Sequence, residues 1–339
     1  MSRKLITIST IMTLMSTSVI ADVPNVAADI APIHSLVSRV MDGVGAPKLI
    51  VQSGASPHGY RLRPSEAKAL QDADHVFWMG EELTPWLDSA IGTLASKASV
   101  TTLLDQQGVI LHDFREGALF EAHDHSAHGD DDHDDHDDHD DHDDHKDHDD
   151  HDDHDDHDDH KDHDDHDDHG SHDPHAWLSP ENAKLWLNII ASKLSVSDPE
   201  NAATYFMNAA AGQAEIEAMI AEVKATLKPV QGGKFVVFHD AYQYFENDFD
   251  FYASGAISLA DSSDPSPARI EKVQKRIRDE GIQCVLAEPQ FKKGLVATVM
   301  EGSDATASVI DPLGAELETG PKLYTRLIKN MAKTLRNCL

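Results

Sequence analysis

The chain has 339 residues, more than one small domain needs and well suited to two lobes of ordinary size. Its formal charge of -33, from 61 acidic against 28 basic residues, argues against nucleic acid as a partner, because phosphate binding needs clustered Lys and Arg; it favours cations. The charge is unevenly spread: His123–Asp173 holds 27 Asp and two Lys, a net of -25, which leaves an ordinary acidic protein of -8 elsewhere.

At the N-terminus, Arg3 and Lys4 precede a run of apolar and small residues from Leu5 to Ile20. Val19-Ile20-Ala21 then sets small or apolar side chains at the -3 and -1 positions of a cleavage site before Asp22. Residues 1–21 are therefore expected to be a signal peptide that exports the chain to a periplasm, and no Cys near the cleavage site is present to accept a lipid. A membrane anchor fits less well, since the run is short for a bilayer span and contains several Ser and Thr.

Asn25–Ile30 reads as a strand and Ser35–Met41, apolar at helical spacing before Gly43, as a helix. Strands are expected at Lys48–Gln52, His75–Met79 and Val100–Leu104, with helices at Pro64–Asp72 and Leu83–Ala95 between them. Such alternation predicts a parallel sheet with helices on its faces. It stops at Leu111. The Asp-Asp-His repeat that follows has a period of three, which matches neither strand nor helix, and it has nothing to bury, so residues 121–172 are expected to be a disordered loop inserted in the first lobe. Lys146 and Lys161 interrupt the repeat in nearly identical surroundings, a pattern of duplication more than of a shaped pocket.

Ser179-Pro180-Glu181 caps a helix through Leu185–Ile190, and Asp198-Pro199-Glu200 starts another that reaches Leu227 before Pro229 and Gly232-Gly233 stop it. A helix of about 28 residues spans roughly 40 Å and would act as a rigid spine. Alternation then resumes, with strands at Lys234–Phe238, Phe251–Ala253, Gln283–Ala287 and Ala307–Ile310 and helices at Ala241–Asn247, Ser266–Glu280, Gly294–Gly302 and Pro321–Leu335. The expected organisation is α/β: a signal peptide at 1–21, an N-terminal lobe at 22–197, a long linking helix at 198–229 and a C-terminal lobe at 230–339, each lobe with a parallel-type sheet flanked by helices. The two cysteines, Cys284 and Cys338, form an even set in an exported chain and are expected to be a disulfide pinning the C-terminus.

Of the 23 histidines, 18 lie between His123 and His175. Imidazole is the commonest side-chain ligand of borderline transition metals, and a neighbouring carboxylate orients the ring. The tract residues His123, His125, His128, His133, His136, His139, His142, His145, His148, His151, His154, His157, His160, His163, His166, His169 and His172 read as an accessory, low-affinity metal reservoir that raises metal concentration locally. A solvated acidic spacer is the bland alternative. Protonation competes with metal, so capture by the tract is expected to weaken below about pH 6.

In open α/β sheets, ligands collect at the carboxyl ends of the strands. His58 falls in the loop after Lys48–Gln52, His175 just past the repeat, His239 directly after Phe235–Phe238 and Asp311 directly after Ala307–Ile310. Asp311 has a second reading as the cap of its own turn. Glu288, at another strand end, is a candidate to orient a ligating His, with a surface or salt-bridge role as the alternative. His34 and His75 read as structural, and His112 has no assigned place.

These residues carry a resemblance. The stretches Gly54-Ala-Ser-Pro-His58 with Leu62-Arg-Pro-Ser65, Asp173-Pro-His-Ala-Trp-Leu-Ser-Pro180, Phe238-His-Asp-Ala-Tyr242 with Tyr244-Phe-Glu246, Ala287-Glu-Pro-Gln-Phe291 and Asp311-Pro-Leu-Gly314 resemble, in the same order, the periplasmic metal-binding proteins of ABC importers and among them the ZnuA-type zinc binders. The resemblance implies two α/β lobes joined by a long helix, with zinc as the transported ligand bound between them and handed to an ABC transporter permease at the inner membrane. It makes His58, His175 and His239 the zinc ligands. Some members place a Glu before the first His; Pro57 stands here and cannot coordinate, so Asp311 or a water must be the fourth ligand. Manganese-binding relatives have a carboxylate at the position of His239, and three imidazoles with one oxygen suit tetrahedral zinc better.

The expected activity is high-affinity zinc capture and delivery for uptake, by a monomer and without catalysis. Three His with an open position also describe a catalytic zinc, but the chain has no H-E-x-x-H helix and no nucleophile elbow. A His-rich zinc buffer or storage protein and a manganese-importer component are the remaining alternatives.

Overall fold

The computed structural model describes residues 23–115, 120, 172–258, 265–290 and 293–339. The expected signal peptide and the histidines from His123 to His169 lie outside the described residues.

The first half alternates β1 (Val26–Ala28), α1 (Ala31–Val40), β2 (Lys48–Leu49), α2 (Pro64–Gln71), β3 (His75–Trp78), α3 (Pro85–Leu94) and β4 (Ser99–Thr102). Two helices follow, α4 (Pro180–Ser197) and α5 (Ala202–Leu227). The second half alternates β5 (Phe235–His239), α6 (Gln243–Phe249), β6 (Ala256–Ser258), α7 (Pro267–Glu280), β7 (Cys284–Ala287), α8 (Lys293–Met300), β8 (Thr306–Val309) and α9 (Leu323–Cys338). Each half builds one parallel sheet, ordered β2-β1-β3-β4 and β6-β5-β7-β8. The inner strands β1, β3 and β5 are buried along their whole length, as strands covered by helices on both faces must be.

The helix starts follow local chemistry. Pro32, Pro64, Pro85, Pro180 and Pro267 stand in the first turns of α1, α2, α3, α4 and α7, where a missing N–H costs nothing. Ser179 and Ser266 cap α4 and α7 by accepting the amides of Asn182 and Arg269.

The long helix runs for 26 residues, flanked by short 3-10 turns at Pro199–Asn201 and Lys228–Val230. Its buried residues, Tyr205, Ala209, Gly212, Ile216, Met219, Val223 and Leu227, recur every three or four positions and form one stripe. That stripe packs on α4, α1 and α9, so the helix lies along both halves and is part of their shared core. Gly212 marks the closest approach: a Cβ there would come within 2.9 Å of Leu187 Cδ1 and 3.1 Å of Arg39 Cγ.

One expectation is corrected. A strand was expected at Phe251–Ala253, but the strand lies at Ala256–Ser258, where it pairs with Val237 and His239 of β5. Phe251 is instead buried in the preceding loop, its ring stacked on Phe235 and its amide donated to the Glu246 carbonyl. The expected long helix is present, its α-helical part at Ala202–Leu227 continued without a break by the 3-10 turns at Pro199–Asn201 and Lys228–Val230. The expected disulfide is present and joins Cys284, the first residue of β7, to Cys338 at the end of α9.

Candidate metal centre

Both sheets reverse their strand order beside the first strand of each half, between β1 and its two neighbours and between β5 and its two neighbours. The crevice at the carboxyl ends of such strands is where open α/β sheets bind ligands. In the second sheet the register settles what faces what. Val237 pairs with Leu286, so two residues further along each parallel strand His239 meets Glu288. Both are buried, and His239 Nδ1 lies 2.6 Å from Glu288 Oε1. Gln290 donates to the other Glu288 oxygen at 2.7 Å.

His175 is placed by its own chain. Asp173 Oδ1 accepts the His175 backbone N–H at 3.0 Å and sits 2.6 Å from His175 Nδ1, while the following 3-10 turn buries Trp177 against the ring. Trp177 donates to the Pro312 carbonyl, and Tyr324 of α9 donates to the Trp177 carbonyl, so the turn is gripped by the second half of the chain. His58 rides on the loop after β2. Gly54 makes its turn with φ 82°, and Trp86 Nε1 of α3 donates to the Pro57 carbonyl at 2.7 Å.

These three loops bring His58, His175 and His239 together, with one ligand atom of each within 4.8 Å of the others. His175 and His239 are buried and His58 is partly exposed. His175 Nε2 and His239 Nε2 stand 3.3 Å apart. Each ring directs Nδ1 at a carboxylate that can accept its N–H, the tautomer in which Nε2 is left as a metal ligand atom. A cation seated between the rings would be shared by both nitrogens. For Zn–N bonds of about 2.0–2.1 Å, the nitrogens of a tetrahedral site lie about 3.3–3.4 Å apart.

Asp311 does not join the cluster. Its Oδ1 accepts the amides of Leu313 and Gly314 and its Oδ2 that of Ala315, which is the turn-capping role. His34 is structural, with Nε2 3.1 Å from the Pro47 carbonyl, and His75 Nε2 lies 2.7 Å from Ser197 Oγ. His112, unplaced from sequence, packs on Tyr244, and Asp113 pairs with His172 across a single antiparallel bridge. The base of the tract is thereby fixed beside α6.

Sequence reasoning missed Arg115 and Asp240. Arg115 Nε lies 3.0 Å from both Asp240 oxygens, and its Nη1 contacts Glu246 Oε2 at 2.5 Å. Burial pulls the guanidinium pKa down, but the two carboxylates outweigh it and hold it above the usual range. Burial raises both acids against the opposing pull of Arg115, Glu246 to about 7. One signal was available: Arg115 is the sole basic residue between Lys97 and Lys146.

Two α/β halves, with three imidazoles gathered where one ligand atom of each lies within reach of the others, define a bilobed protein with a cluster that could hold a metal. The family model described as zinc-uptake complex component A, periplasmic (ZnuA), matches residues 26–338. The chain belongs to that family. Curated relatives named high-affinity zinc uptake system protein ZnuA include one from Brucella abortus (strain 2308), 49% identical over 93% of this chain and 91% of the relative. Another, from Paracoccus denitrificans (strain Pd 1222), is 45% identical over 94% of this chain and 93% of its own. A crystal structure of ZnuA superposes with a TM-score of 0.68 over 94% of this chain and 99% of that one, at 20% identity, which speaks for the fold alone.

Proposed function

We propose that this chain captures zinc in the periplasm with His58, His175 and His239 and passes it to an ABC-type permease for uptake. The observation that carries the reading is the pair of Nε2 atoms 3.3 Å apart, each on a ring whose Nδ1 is already committed to a buried carboxylate. A divalent cation between them would be shared by both lone pairs, and three nitrogens suit zinc before manganese. The relatives named for high-affinity zinc uptake support the same cargo.

Because the Asp311 oxygens are held by three backbone amides, a water is the better fourth ligand. His58 sits on the most exposed of the three loops, and one apolar core runs through both halves of the chain. Release to the permease therefore proceeds by withdrawal of the His58 loop more than by wide opening of the lobes. The His/Asp tract, tethered beside α6, feeds this centre as a reservoir. Residues 1–21 direct export, in keeping with the periplasmic description of the family. No described helix is long and apolar enough to cross a membrane. The protein acts as a monomeric carrier and performs no catalysis.

Zinc titration by calorimetry tests this on the chain without residues 1–21, on a form also lacking Asp124–Asp168, and on that form with all three His changed to Ala. One tight site should survive loss of the tract and vanish with the three His. Tight binding that disappears with the tract alone would make this a His-rich buffer and sink the carrier reading.

A further inference from the structure

The three histidines are fixed in different ways. His175 and His239 are buried, and each turns Nδ1 to a carboxylate oxygen 2.6 Å away. His58 is partly exposed, stands on the loop between β2 and α2, and has its ring centroid 5.6 Å from that of His175. Two hydrogen bonds bracket it. On one side the Trp86 indole donates to the Pro57 carbonyl at 2.7 Å. That carbonyl belongs to the planar peptide bond leading into His58, so the contact holds the backbone of the ligand itself. On the other side the Tyr60 hydroxyl donates to Glu66 Oε1 at 2.8 Å, and Glu66 Oε2 accepts the Arg63 amide at 2.7 Å.

Both anchors are themselves held. Trp86 is the second residue of α3 and packs against the main core cluster and also against the smaller one around Ile50, Leu70 and Ile91. Its ring lies 5.7 Å from that of Tyr60. An indole locked by packing keeps its N–H aimed at one place. Glu66 is buried in the first turn of α2. The loop between the anchors combines a stiff entry with a soft exit. Pro57 is buried and its ring fixes φ, whereas Gly59 bends freely and has nothing within 4 Å of where a Cβ would stand. The bond at Pro57 therefore governs His58 most directly.

We infer that Trp86 is a positioning residue for His58: it clamps the peptide bond that leads into this ligand and, together with the Tyr60–Glu66 bond, sets how fast the metal leaves. The inference rests on the zinc-carrier reading above and names what withdrawal of the His58 loop must break. Both anchors come from helices of the first half, while the turn carrying His175 is gripped by the second. The loop ligand can thus be released while the other two keep their own holders.

The test compares the wild-type chain, W86F, H58A and H58A/W86F, all without residues 1–21. Each chain is loaded with a single equivalent of zinc and mixed with excess chelating dye in a stopped-flow instrument; association is timed by mixing the zinc-free chain with metal. W86F keeps an aromatic body and loses the donor. It should release zinc about three- to ten-fold faster, the span one hydrogen bond supplies, while association stays within about two-fold. In H58A the same change should alter release by less than about two-fold, because Trp86 reaches the metal only through His58. Should W86F melt below the assay temperature, Y60F carries the test: it frees the second anchor and should speed release in the same direction. A folded variant that holds zinc as long as wild type, or an equal acceleration in the H58A pair, would overturn the inference. The zinc-free chain separates this from the carrier reading. There the indole N–H resonance that W86F removes should exchange with heavy water at least about ten-fold more slowly than a solvated indole. Rapid exchange would deny the clamp; a slow indole in a chain whose zinc does not depend on the three His would instead overturn the carrier reading.

Discussion

Removing the Glu288 carboxylate isolates what orientation of His239 contributes to metal binding. The two side chains meet 2.6 Å apart, with His239 3% and Glu288 2% exposed, so no solvent stands ready to replace the bond. In E288A the His239 Nδ1–H loses its acceptor, the ring is free to turn, and Nε2 no longer points by default at His175. Carboxylate partners of ligating histidines are generally worth 10- to 100-fold in metal affinity, about 1.4–2.7 kcal/mol. E288Q keeps an acceptor for the same proton but drops the charge that strengthens the imidazole as a donor, so its loss should be smaller, below about ten-fold. The assay is a zinc competition titration at neutral pH on chains lacking Asp124–Asp168, so that tract sites do not mask the cleft, with thermal melts to confirm folding. The expected order is wild type, then Gln, then Ala. If the folded E288A protein bound zinc as tightly as wild type, the claim that this carboxylate sets the tautomer and aim of His239 would be wrong.

Other parts of the structure make independent predictions. Replacing Cys338 with Ser opens a crosslink between residues separated by 54 positions, which in the chain-entropy account costs about 4 kcal/mol and should appear as a lower urea midpoint. Because Cys284 begins β7 and Glu288 follows its other end, the same variant should keep its zinc affinity; a parallel loss of affinity would refute that separation. Gly212→Val should destabilise by about 1–3 kcal/mol in urea unfolding, since Leu187 and Arg39 already close on the site from two helices. Asp29 is fully buried, and burial pushes its pKa up to about 7 even though the amides of Met79 and Ile30 oppose this. The folded state thus binds the proton more tightly than the unfolded chain, and the contribution of Asp29 to stability is present below about pH 4 and lost as pH rises toward 7. D29N should therefore look most destabilised relative to wild type at low pH, with the gap narrowing by pH 8; a gap that widens with pH would contradict the sign.

Much of this protein is legible without coordinates, because local rules and tertiary packing agree. The alternation of short apolar runs with helical periodicity fixes two parallel sheets, since a strand that must cross over to a parallel neighbour needs a helix to do it. His58 and His239 are visible because they stand at or after a strand end, where such sheets place ligands, and His175 because it closes the repeat in the stretch Asp173–Pro180. The even cysteine pair signals its bond. The sequence also exposes the tract, whose composition denies it a core.

What only the tertiary structure decides is the partnership of residues far apart in the chain. The pairing of His239 with Glu288 depends on β5 lying beside β7 in one register, and a shift by a single residue would turn the carboxylate to the other face. The role of Asp311 turns on local geometry: its oxygens face three amides of its own turn, which a strand-end position alone does not reveal. Phe251 reads as strand because aromatic residues favour one, yet packing against Phe235 holds it in a loop. Arg115 and Asp240 are 125 positions apart, and nothing local to either announces the other. Sequence determines which groups can bind a metal and on which elements they ride; folding determines which of them meet, because every buried acid must find a donor and the register of distant strands and loops decides which donor that is.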